Sequence, residues 1–158
     1  MAGLTEISLG NFTEVRFAAA DAADDTLIEA GTDNVNIVGE VQSVGDISDE
    51  ATIVDVQAYG QKYLKKLVGS ANAAAIEVVC NYQPTDGGQT DLLLAYTSST
   101  PRNISIVMLD TDAGTNGTHT TFTALIASAS ISNSFDETRT ITFSVVPING
   151  VGAYTAIN

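Results

Sequence analysis

A chain of 158 residues is about one domain long, and with 44% apolar residues it can bury a core without disulfides or a structural metal. Nineteen acidic side chains against six basic ones leave a net charge of -13, which repels nucleic-acid phosphates and anionic lipid headgroups and disfavours tight binding to either. Passage of DNA without capture is compatible with that charge. Aromatic residues make up 6% of the chain with no Trp, and the polar residues are mostly Thr, Ser, Asn and Gly, so strands and turns are favoured over helices.

The opening segment, Met1 to Glu6, has no basic region leading into an apolar run, and no apolar stretch reaches membrane-spanning length. The expectation is a soluble protein made in a cytoplasm, in which the sequons at Asn11, Asn103 and Asn116 are chance matches in a Thr-rich chain. Glu14-Val15-Arg16-Phe17 is the first strand signal, followed by an acidic, Ala-rich loop from Ala18 to Asp25. Val35 to Gln42 then sets Val35, Ile37 and Val41 on one face and Asn36, Glu40 and Gln42 on the other, the alternation of a strand. Ile53 to Ala58 repeats the pattern beyond the turn-rich Gly45 to Glu50, which predicts a hairpin between these two runs.

Tyr59 to Ala75 mixes signals. Leu64, Leu67 and Val68 have helical spacing, but Gly60 and the like-charged Lys62 and Lys66 oppose a helix, so an extended connection is predicted. Ile76 to Tyr82 reads as a strand, with Cys80 as an inert packed thiol within it. A helix is predicted from Asp86 to about Ser98: Asp86 and Gln89 have capping-box spacing, Leu92, Leu93 and Tyr96 form the stripe that packs on a sheet, and Pro101 ends the segment. Asn103 to Leu109 follows as a strand.

In the last third Phe122, Ala124 and Ile126 alternate with polar residues. Beyond Ala127, Ser128, Ser130, Ser132 and Ser134 make one strand face small and polar. After a turn near Asp136 and Glu137, Arg139, Ile141, Phe143 and Val145 alternate with Thr and Ser, so the two runs form an antiparallel hairpin. The sum is a mainly β fold, a sandwich or barrel-like core of two packed antiparallel sheets with one flanking helix.

Chemistry is sparse. His119, the one histidine, falls in the Gly/Thr/Asn-rich run from Asp110 to Thr120 and reads as a solvated loop residue without partners for a zinc site. Asp110-Thr111-Asp112-Ala113-Gly114 starts like a calcium loop but lacks the closing acid. No nucleophile elbow, phosphate-binding loop or dinucleotide fingerprint is present. The sequence points to no catalytic, cofactor-binding or metal-binding residues and to no enzyme.

From Gly39 to Ile148 the order of segments resembles the tail tube proteins of bacteriophages with long, non-contractile tails. An acidic turn region leads into Tyr59-Gly60-Gln61-Lys62-Tyr63-Leu64-Lys65-Lys66-Leu67-Val68-Gly69 and then the strand Ile76 to Tyr82. Pro84 to Asp91 enters the helix with Leu92-Leu93-Leu94-Ala95-Tyr96, and the strand Ile104 to Leu109 and the hairpin Phe122 to Val146 follow. The resemblance implies a single domain over residues 1–158, built as a β-sandwich-like core with a flanking helix. It also implies hexameric rings stacked into a hollow tube, with inner strands of the ring closing into one barrel and a long loop within Asp55 to Ala74 reaching the next ring. The implied location is the virion tail, assembled in the bacterial host cytoplasm. The implied partners are further copies of the chain, tape-measure, tail-tip and tail-terminator proteins, and double-stranded DNA in transit, with no membrane.

On that resemblance Glu40, Gln42, Asp55 and Gln57 are one candidate lumen-facing set and Ser128, Ser130, Ser132 and Ser134 another; either set could equally face bulk solvent outside the tube. Tyr59, Lys62, Tyr63, Lys65 and Lys66 are candidates for contact with an acidic surface of an adjacent subunit or ring, against an ordinary solvated loop. The competing readings are a β-sandwich module that binds carbohydrate or protein and a capsid-decorating protein. The scattered Tyr and Phe residues offer no aromatic platform for sugar.

Overall fold

Alternating apolar residues drive the strands, and their pairing sets the architecture. The computed structural model describes residues 13–18, 36–110 and 116–157. In chain order these form β1 (Thr13–Ala18), β2 (Asn36–Ile37), β3 (Val41–Val44), β4 (Asp49–Val56), β5 (Lys65–Ala73), β6 (Ile76–Asn81), α1 (Gly87–Ser98), β7 (Arg102–Leu109), β8 (Gly117–Ser132), β9 (Thr140–Pro147) and β10 (Thr155–Ile157). One eight-stranded antiparallel sheet runs β2-β1-β7-β8-β9-β6-β3, with β10 also on β8; β4 and β5 form a separate two-stranded sheet. The large sheet curls until β1 comes against β3. Its concave side holds one core, including Val15, Phe17, Ile76, Val78, Cys80, Ile104, Ile106, Phe122, Ile141, Phe143 and Val145, closed over by Leu92 and Ala95 of α1. The fold class is the expected one, mainly β, with a single helix among the described residues.

Strand β8 makes the curl possible. Its first half pairs with β7 through Gly117–Ala124, and its second half pairs with β9 through Ala124–Ser132. Between Ile126 and Ser128 the register slips by the extra residue Ala127, a β-bulge that bends the strand and reverses which side chains point inward. Phe122, Ala124 and Ile126 face the core before it, whereas Ala129 packs against the core after it and the serines turn outward.

The strands depart from the sequence reading at several points. Val35 to Gln42 is not one strand: β2 and β3 are separated at Gly39 and Glu40, where Glu40 takes φ +57°, and they pair with opposite ends of the curled sheet, β2 with β1 and β3 with β6. Ile37 is consequently exposed and Val38 buried. The predicted hairpin between that run and Ile53–Ala58 is absent, since β4 pairs with β5 instead, which turns most of the expected extended connection into a strand. His119 is not a loop residue but lies buried in β8. The Ala-rich loop beyond Ala18 and the calcium-like residues 111–114 lie outside the described residues.

His119 sits between Val107 of β7 and Thr155 of β10. Thr121 Oγ1 donates to Ser105 Oγ (3.0 Å) and stands 3.4 Å from His119 Nδ1. Burial, helped by the nearby Arg16 charge, pushes the imidazole pKa below its ordinary value. The unfolded chain therefore takes up this proton first, so the histidine's share of stability is present above about pH 6.5 and declines as pH falls below it. Urea denaturation of wild type and His119→Gln between pH 7.5 and 5.5 should show a shallower loss in the variant. Parallel losses would remove His119 from the pH response.

Candidate functional site

The second half of β8 forms, with β9, β6 and β3, a four-strand region whose outward face is small and polar. Cross-strand partners fix its rows: Ser128, Ser144 and Glu77; Ser130, Thr142, Val79 and Ser43; Ser132, Thr140 and Asn81. The last row continues through hydrogen bonds, Gln42 Nε2 donating to Asn81 Oδ1 and Asn81 Nδ2 donating to Glu40 Oε2 (3.4 Å). The two candidate lumen sets therefore meet in part. Glu40 and Gln42 share this face with Ser128, Ser130 and Ser132, and beside Val79 the face carries acids, hydroxyls and amides but, among the described residues, no lysine or arginine. Ser134 lies beyond the end of β8, in the exposed turn. Asp55 and Gln57 are elsewhere, on and just past β4.

Both sides of this region end in open strand edges. Among the described residues, β3 pairs only with β6, and the Leu125–Ser132 portion of β8 pairs only with β9. Each edge presents unpaired backbone N–H and C=O groups, the template on which another strand adds. Ile131 sits on the free β8 edge 51% exposed, an apolar side chain without cover.

The second feature is the β4–β5 arm. From Asp49 to Asn72 every residue is exposed except the half-buried Ala58. Its base is closed by Ala74 N–H donating to Ser48 O (3.1 Å), and a bulge at Gly69 and Ser70 faces Thr52. Register places Ile53, Val68, Asp55 and Lys66 on one face and Val54, Val56, Leu67 and Lys65 on the other. Of the three lysines expected to contact a neighbour, Lys66 is bonded to Asp55 of its own arm (2.7 Å), with both partners largely solvated, a link worth under about 1 kcal/mol. Lys62 lies 5.8 Å from the centre of the Tyr63 ring. Lys65 has no ion pair among the described residues. Tyr59 stands fully and Tyr63 mostly in solvent near the tip.

Helix α1 covers the core from outside. Asp86 caps it, its Oδ1 accepting from Gln89 N–H (2.8 Å) and Gly39 N–H (3.4 Å). The side chain of Gln89 does not reach back to the cap as a capping box would. Its Oε1 accepts from Gln83 N–H (3.0 Å), and its Nε2 donates to Asn81 O (2.8 Å) and Gly39 O (3.1 Å). Gly88 lies so close to β2 that a Cβ there would come within 2.4 Å of Ile37 O. Of the predicted packing stripe, Leu92 is fully buried and Leu93 partly buried against the core, but Tyr96 is 42% exposed and Ala95 packs inward in its place. The short Gly88 and Ala95 let the helix sit close, which turns the buried stripe toward positions 88, 89, 92 and 95.

The sequence reading missed Ser43, Glu77 and Asn81 as members of the polar face and Gln89 as a buried tie. Alternation around the hairpin did mark Thr140, Thr142 and Ser144, but which strand lies beyond them is a matter of tertiary pairing. Cys80 is fully buried, and burial, with a smaller contribution from Asp86, pushes its thiol pKa up to about 11, so it stays protonated. Among the described residues, no three His, Cys, Asp or Glu side chains are grouped to hold a metal, and no helix is long and apolar enough to cross a membrane.

In fold, this chain is similar to solved tail tube proteins. The chain is similar to the SPP1 tail tube protein (TM-score 0.64, 17% identity, 96% of this chain and 80% of that one). It is similar as well to a chain of the anti-feeding prophage baseplate (TM-score 0.71, 12% identity, 100% and 98%), and to one from the tail of a gene transfer agent particle refined with C6 symmetry (TM-score 0.65, 13% identity, 94% and 99%). No protein-family model matches the sequence, and no curated protein matches it.

Proposed function

We propose that this chain is a structural virion protein that polymerises as stacked hexameric rings into the hollow tail tube of a long-tailed phage, the conduit through which DNA is ejected into the host. The observation that carries this reading is the four-strand region with a polar face and an open edge on either side. Joining the β8 edge of one copy to the β3 edge of the next satisfies both rows of backbone groups, and continuing around a ring closes a barrel with no edge left. The polar face then lines the lumen.

A lumen bearing Glu40, Glu77 and hydroxyls offers DNA phosphates no cation to bind, so the polyanion slides rather than sticks. The six-fold symmetry of the gene transfer agent tail supports six copies per ring. The projecting arm supports stacking, as the reach from one ring to the next. In a particle, the ends of the tube would meet tail-tip and terminator proteins, and its lumen would hold a tape-measure protein before DNA passes.

Negative-stain and cryo-electron microscopy of the purified chain test the reading. Hollow tubes or six-fold rings with the Ser128–Ser132 face inward are expected. A monomer at high concentration, or tubes with this face outward, would overturn it and favour a binding or decorating module.

A further inference from the structure

Two Asn-Gly pairs occur in the chain, Asn116-Gly117 and Asn149-Gly150, and the fold treats them differently. We infer that Asn149-Gly150 is a site of spontaneous covalent modification, at which the Gly150 backbone nitrogen attacks the Asn149 side-chain amide and leaves aspartate or isoaspartate at position 149, while Asn116-Gly117 is held unreactive. The reaction needs one folded chain and no neighbour.

The attack needs a backbone nitrogen able to swing onto the side chain, no bulk at its α-carbon, and water. Asn149 is exposed just past the end of β9, and among the described residues neither its side-chain amide nor Gly150 N–H has a hydrogen-bond partner. Gly150 takes φ +87°, in the left-handed region, and carries no Cβ to obstruct a five-membered ring. The pair opens on a cavity of about 190 Å³, lined also by Thr121, Thr123 and Thr155, with room for several waters. At Asn116-Gly117 these conditions are not met. Asn116 O accepts from Asp110 N–H (3.1 Å), and Gly117 opens β8, paired with Leu109 on one side and Ile157 on the other. A Cβ at Gly117 would run into Met108 O, so its backbone has no room to turn.

Water is the only reagent the step requires. Gly150 N bonds to Asn149 Cγ, its amide proton passes through water to the departing nitrogen, and the Cγ–Nδ2 bond breaks to release ammonia. Water then opens the cyclic imide, its hydroxyl going to one of the two carbonyl carbons and its proton to Gly150 N. Opening at Cγ leaves aspartate, and opening at the main-chain carbonyl leaves isoaspartate, with the chain running on through Cγ. Either product carries a carboxylate where the amide was neutral. Asp49 Oδ2 stands 3.2 Å from where a Cβ of Gly150 would be, so the new charge arises beside the first residue of β4, at the root of the arm, and like charges repel there. Isoaspartate also lengthens the main chain just ahead of Val151, which packs against the core.

Peptide mapping by mass spectrometry, on the full chain incubated at mildly alkaline pH, tests the site. In the folded chain position 149 should convert about tenfold or more faster than position 116, because Gly117 reacts only when its ladder opens. In urea the two positions should react at similar rates, since unfolding removes that ladder. Asn149→Gln should remove the isoaspartate signal from the folded chain. Conversion at 116 as fast as at 149 in the folded chain would overturn the assignment. So would an unreacted Asn149 under conditions where the unfolded chain converts at both positions, or an isoaspartate signal of undiminished size in the folded Asn149→Gln variant.

Discussion

Ile131→Asp is expected to abolish rings and tubes while the monomer stays folded. Ile131 lies on the free edge of β8, opposite Ile141 of β9, half exposed because no strand continues the sheet beyond it. A neighbouring β3 would cover it, and burying such a side chain stabilises an interface by roughly 1.5–3 kcal/mol. A carboxylate there removes that term and adds the cost of desolvating a charge. The combined change exceeds about 3 kcal/mol, more than a hundredfold in each edge contact, and in the proposed ring it would recur at every contact. The monomer should be little affected, since surface substitutions usually shift stability by less than about 0.5 kcal/mol. Sedimentation velocity and micrographs read assembly, and circular dichroism melting reads the fold. Tubes formed at wild-type concentration would show that this edge is not where subunits join.

Gln89→Ala should cost about 3–4 kcal/mol of monomer stability. Gln89 is almost wholly buried and makes three side-chain hydrogen bonds, tying the start of α1 to the end of β6 and to the bend between β2 and β3. Each such bond contributes about 1 kcal/mol, and truncation leaves Asn81 O, Gly39 O and Gln83 N–H without that partner. Against a typical total of about 5–15 kcal/mol the loss is large, and a chain of this length should melt about 6–15 °C lower. Urea denaturation gives the free energy directly. A loss under about 1 kcal/mol would mean that water replaces the amide without penalty.

The local elements were legible in the sequence wherever apolar period and stop signals agreed. The helix was placed to within a residue because Asp86 caps it and Ser99, in the left-handed region, closes it just ahead of Pro101. The closing hairpin was legible because two alternating runs flank an acidic turn, in which Asp136 takes a positive φ. Errors arose where one residue changes what a periodic pattern means. Gly39 and Glu40 break an unbroken alternation because the chain there crosses between opposite ends of the sheet. Gly88 and Ala95 turn the helix so that Tyr96 leaves the interface.

The candidate site divides in the same way. The acidic balance, the lysine cluster and the serine run are written in the sequence, since composition and period two need no partner to be read. That the serines face outward depends on the bulge at Ala127, and that they share a face with Glu40 and Gln42, while Asp55 and Gln57 go to the arm, depends on β6 and β9 lying between β8 and β3. Strand pairing brings together residues about ninety positions apart, and its register is decided by how all the strands pack around one core. The sequence by itself determined a mainly β domain with one helix and a surface that repels DNA phosphates. The tertiary structure decided which edges stay open, because an edge is defined by the strand that is missing beside it.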